Sequence, residues 1–178
     1  SPSNASDAYW MMQQAIQSDD PVIFFEPKRR YYERGTVNTG AADLPLHRAE
    51  VVRQGTDLTL AGYGPTVRTC LDAAEEAERE GRSLEVLDLR SISPLDFDSV
   101  EASLRRTGRL VVVHEAPVYF GAGAEIAARM TERCFHHLEA PVLRVGGYHM
   151  PYPPSRFEEE YLPDLDRVLY AVDRAMAF

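Results

Sequence analysis

Residues 109–129, RLVVVHEAPVYFGAGAEIAAR, constrain the fold more than any other stretch of the chain. Leu110, Val111, Val112 and Val113 form an unbroken, largely β-branched apolar run, the pattern of a strand covered on both faces, as in a parallel sheet. Polarity returns at His114 and Glu115, and Pro117, which has no N–H to donate, stops the ladder. Gly121 and Gly123 then allow a tight turn into a helix whose apolar side is Ile126, Ala127, Met130 and Cys134. In an open α/β sheet ligands gather at the carboxyl ends of the strands, so His114 and Glu115 are the first residues to interrogate.

The rest of the chain repeats the alternation. Ser3, Asn4 and Ser6 offer N-caps for a first helix with Ala8, Met11, Met12, Ala15 and Ile16 on one face. Residues 22–25 read as a short apolar strand, followed by a basic-aromatic cluster at 28–32 and an irregular connection over 33–46. Residues 49–53 and 58–61 suggest a hairpin whose first arm is a short edge strand. A helix with Val67, Cys70, Leu71, Ala74 and Ala77 inward follows, capped by Gly81. Residues 84–89 give a further strand, and Asp96 starts a helix carrying Phe97, Val100 and Leu104 before Gly108. Residues 141–145 form the last strand, ended by Gly146 and Gly147. A proline-rich crossing over 148–154 leads to a helix capped by Asp164, with Leu165, Val168, Leu169, Val172 and Met176 on one stripe. The expected fold is a three-layer α/β sandwich, a mostly parallel five-stranded sheet plus a short antiparallel edge, formed as a single domain over residues 1–178.

Composition narrows the function. With 44% hydrophobic and 26% charged residues the chain reads as soluble, without a membrane span, and isolated Cys70 and Cys134 suit a reducing cytoplasm. The net charge of −9 disfavours nucleic acid and favours a basic partner. No GxSxG is present, His136 and His137 diverge on a helix, and His47 and His149 fall in loops, so neither a hydrolase nor a metal site is expected. His114 and Glu115 resemble an acid/base pair, yet neighbouring strand residues face opposite sides, which favours a structural or interface role. The turn from Gly62 to Pro65 could hold a phosphate but is neither GxGxxG nor a P-loop.

Five segments in order, FFEPKRRYY (24–32), EVVRQGTDLTLAGYG (50–64), EVLDLRSISPLD (85–96), TGRLVVVHEAP (107–117) and LEAPVLRVGGYHMPYP (138–153), closely resemble the carboxyl-terminal half of the beta chain of 2-oxo acid dehydrogenase decarboxylating components. The first and last lean toward the branched-chain members. The resemblance implies a transketolase C-terminal-like fold, and an oxidoreductase dependent on thiamine diphosphate and magnesium when intact. It places the cofactor between the alpha chain and the amino-terminal half of the beta chain, so no catalytic residue carries over and the chain alone is expected to bind no cofactor and be inactive.

By the same resemblance this region pairs with a second beta chain and docks the subunit-binding domain of the acyltransferase core. Glu139, in LEAP, and the terminal carboxylate of Phe178 resemble the docking groups, while His114 and Glu115 match the HEAP motif. Glu158, Glu159, Glu160, Asp164, Asp166 and Asp173 crowd the final stretch and would attract a basic domain. The alternative is a freestanding phosphate- or nucleotide-binding α/β enzyme using the turn from Gly62 to Pro65, the segment from Gly121 to Glu125, and His114.

Overall fold

Alternation within the buried strands decides which helices lie on which face. A computed structural model describes residues 1–40 and 44–178. β2 (Leu58–Gly62), β3 (Leu84–Asp88), β4 (Leu110–Pro117) and β5 (Leu143–Gly147) are parallel, and β1 (Glu50–Arg53) runs antiparallel at the edge, in the order β1-β3-β2-β4-β5. Along β4, Val111 and Val113 face α2 (Thr66–Arg79) and α6 (Leu165–Met176), whereas Leu110 and Val112 face α3 (Phe97–Thr107) and α4 (Ala122–Cys134). The two apolar layers explain why the strands read as continuous hydrophobic runs. The mostly parallel α/β sandwich expected from the sequence is the observed fold.

The helices begin and end where their residues allow. Asp96 and Asp164 accept from the backbone N–H of Ser99 at 3.1 Å and of Arg167 at 2.8 Å, capping α3 and α6. Gly81 and Gly108 stop α2 and α3 at φ of +80° and +68°, which residues with a Cβ rarely adopt.

Three expectations differ. Residues 49–53 and 58–61 form no hairpin: β1 pairs with β3, and residues 54–57 cross the start of β3 to reach β2. Gly55 makes the crossing possible, since a Cβ there would stand 2.1 Å from the Glu85 nitrogen. Thr56 and Asp57 donate from their backbones to the Ser83 carbonyl at 3.0 and 2.9 Å, fixing the crossing. Residues 22–25 form no strand; other strands hold both edges, Pro21 and Pro27 bracket the segment, and Ile23 is 81% exposed. The last strand runs through Gly146 and Gly147 rather than ending before them.

α1 (Ala5–Gln17) forms as expected, capped by Asn4, which accepts from Asp7 N at 2.8 Å. It docks through Met11 and Asp7, while Ile16 stays exposed. Asp7 turns inward because Arg90, also buried, pairs with it at 2.9 Å. Of the connection expected over 33–46, positions 41–43 lie outside the described residues.

Candidate functional site

Two ends of the sheet carry the candidate residues. At the carboxyl end, β4 turns into α4 around His114. Its Nδ1 bonds with the Ala116 carbonyl at 2.9 Å, its ring is fully buried, and Nε2 has no hydrogen-bond partner. Three glycines make room for the ring: a Cβ at Gly123 would meet Nε2 at 2.6 Å, one at Gly121 would meet Cε1 at 2.7 Å, and one at Gly146 would meet Cε1 at 3.0 Å. Burial holds the imidazole below its usual range. Glu115 points elsewhere, half-buried, with its carboxyl raised first by burial, lowered by Arg29 and raised again by Glu158. The two side chains are not brought together as an acid/base pair.

The crevice between β2 and β4, where a doubly wound sheet reverses its strand order, is the usual ligand position. Thr66 occupies it. Its hydroxyl lies 3.0 Å from the carbonyls of both Tyr63 and Val113, and a Cβ on Gly62 would come within 2.9 Å of it. The turn from Gly62 to Pro65 is thus closed by the chain's own side chain. The glycines of the segment from Gly121 to Glu125 face His114, so neither turn forms an open phosphate cradle. This geometry disfavours the nucleotide-binding alternative.

At the amino end, Arg109 joins the docking candidates. It pairs with Glu139 at 2.5 Å and donates from Nε to the Ala175 carbonyl at 3.1 Å, in the last turn of α6. Glu139 N donates to the Gly108 carbonyl at 2.9 Å, and its carboxylate packs over Gly108, where a Cβ would come within 2.8 Å. Phe178, 70% exposed, lies two residues beyond the end of the same helix. Nothing in the sequence pattern marks Arg109; RL preceding an apolar run reads only as a strand boundary.

The acidic residues of the final stretch do not share this corner. α6 runs back along the sheet: near its start Arg167 donates to the carbonyl of Gly146 in β5, and near its end Ala175 meets Arg109. Glu158, Glu159, Glu160, Asp164 and Asp166 therefore lie toward the opposite end from Phe178, about 18 Å away at 1.5 Å per helical residue. Asp164 is engaged as a cap and Asp173 is paired with Arg82. A single acidic face near Phe178 is not formed.

The family model for the transketolase C-terminal domain matches residues 47–168. A pyruvate dehydrogenase E1 component subunit beta from Leifsonia xyli is 54% identical over 99% of this chain and 52% of the relative. A 3-methyl-2-oxobutanoate dehydrogenase subunit beta from Mycobacterium tuberculosis is 51% identical over 98% of this chain and 51% of the relative. The chain spans about half the length of these curated relatives. Among solved structures, a split gene transketolase, an inactive beta4 tetramer, aligns with a TM-score of 0.67 and 28% identity, covering 80% of this chain and 46% of that one.

Proposed function

Because the chain belongs to the transketolase C-terminal domain family, we propose that it is one domain of the beta chain of a 2-oxo acid dehydrogenase decarboxylating component. In that setting it pairs beta chains and docks the acyltransferase core. Arg109 carries the reading: it gathers Glu139 and the end of α6 at one corner, where a basic domain would meet both Glu139 and the Phe178 carboxylate. That corner lies at the amino end of the sheet, apart from the crevice where an α/β enzyme normally works.

In the intact enzyme thiamine diphosphate with magnesium would supply the decarboxylation chemistry. The residues here do not fit that group. Among the described residues no cluster of three His, Cys, Asp or Glu side chains is placed to hold a metal ion, and Thr66 fills the strand-end crevice. The alpha chain and the remainder of the beta chain supply the cofactor cleft on this reading, in a cytoplasmic assembly. The branched-chain acids are the proposed substrates, from the motifs at 24–32 and 138–153 and the resemblance to a 3-methyl-2-oxobutanoate dehydrogenase subunit. No helix among the described residues is long and apolar enough to cross a membrane.

The docking test is calorimetric binding of an arginine-bearing subunit-binding domain to the unaltered chain, to Glu139→Ala and to a chain extended beyond Phe178. Losing one member of a desolvated charge pair typically costs about 2–5 kcal/mol, so both changes should weaken binding measurably. Equal affinity across all three at moderate salt would exclude this corner as the docking site.

A further inference from the structure

At the carboxyl ends of β4 and β5, across the molecule from Glu139, lies a cavity of about 570 Å³ that no part of the docking reading uses. Its walls are aromatic. Tyr119 stands edge-on to Phe120 with ring centroids 4.7 Å apart and tilts against His149 at 4.6 Å. Phe120 is 87% exposed and held at φ +58°, an unusual conformation for a bulky side chain. Such strain persists where the surroundings impose it, and it concentrates at functional surfaces.

The floor is cationic. Arg167 stacks on Tyr148 at 4.6 Å and is fixed by donating to the carbonyls of Tyr161 and Leu162, each at 3.1 Å, and of Gly146. Arg144, exposed, makes one long bond of 3.4 Å to the Val118 carbonyl. Neither guanidinium makes an ion pair among the described residues, and no acidic side chain lines the cavity. On a chain of net charge −9 this leaves an uncompensated positive floor under an apolar wall.

We propose that this cavity docks a partner protein through a segment presenting a carboxylate flanked by apolar side chains. Charge selects the carboxylate: Arg144 can exchange its long carbonyl bond for a charge-assisted one, while immobile Arg167 adds its field without losing side-chain freedom. The apolar flanks follow from the rings, which continue past the cavity through exposed Tyr148, Met150 and Tyr152. A contiguous exposed apolar surface of this kind marks a macromolecular contact more than a small-molecule pocket, and Tyr and Arg dominate interface energetics. The inference is independent of whether Glu139 and Phe178 dock the acyltransferase core.

The test uses the full chain and a fluorescein-labelled peptide of alternating leucine and glutamate, followed by anisotropy. Saturable binding is expected, weakened at least about tenfold by Arg144→Glu, a change of an exposed side chain. Phe120→Asn should also weaken binding while keeping or raising the melting temperature, because asparagine tolerates positive φ. A lysine-for-glutamate peptide should not bind. Absence of saturable binding, equal binding of the lysine peptide, or unchanged affinity in both variants would overturn the proposal. So would displacement by free benzoate at concentrations matching the peptide's own, which would assign the cavity to a small anion.

Discussion

Glu85 sits fully buried in the middle of β3, and Arg106 Nη2 reaches both of its carboxylate oxygens at 2.7 Å from α3. Ser103 donates to the same carboxylate, and the Thr59 hydroxyl lies 2.7 Å from that of Ser103 and 2.8 Å from that of Thr107 in a buried cluster. Arg106→Ala would strand a buried charge and should lower the urea-derived stability by about 3 kcal/mol. Replacing Glu85 and Arg106 together by leucine should recover most of that loss, because the penalty lies in the unpaired charge. Asp88 gives a pH signature. Burial pushes its carboxyl up to about 7, against hydrogen bonds from Ser3 and the Arg90 backbone. A raised native value stabilises fully below the unfolded value, about 3.9, and that stability is lost as pH rises through about 7. Melting curves should therefore show Asp88→Asn gaining on the parent chain from pH 5 to pH 8. His114 works in the opposite sense, its contribution being lost as pH falls below about 6.5. None of these partnerships was legible beforehand, since Glu85 and Asp88 look like ordinary polar interruptions of an apolar strand and Arg90 like part of the connection that follows it.

At the level of elements, helices α2, α3, α4 and α6 stand where their apolar spacing and caps place them, because helical signals are local. Strand pairing is not local. β1 and β2 are neighbours in sequence, yet β3 lies between them, and the decisive residue is Gly55 pressed on the backbone of Leu84 and Glu85. Gly55→Ala should cost about 2 kcal/mol through overpacking. Its mark in hydrogen exchange should be faster exchange at the β1–β3 contact of Val51 and Leu87, with β2 and β4 retaining their protection. Uniform loss of protection across the sheet would mean that the crossing supports the whole fold rather than its edge.

As a whole molecule the domain has two unlike ends: a corner at the amino end of the sheet where Arg109 pairs with Glu139, and a cationic aromatic cavity at the carboxyl end. If it pairs beta chains through a symmetric contact, as proposed, sedimentation should show a concentration-dependent dimer, and monomer alone at high concentration would count against the pairing. Read alone, the sequence determined the alternating α/β class, the buried run of β4, the helix caps and the family, because each is encoded in short windows of polarity, spacing and motif. It also named Glu139 and Phe178 as candidates. Only the tertiary structure decided that Arg109 ties Glu139 to the last turn of α6, that the acidic residues of 158–166 lie at the far end, and that Gly121, Gly123 and Gly146 make room for His114. Such facts depend on which distant segments meet, and packing, charge pairing and steric room are settled only where they do.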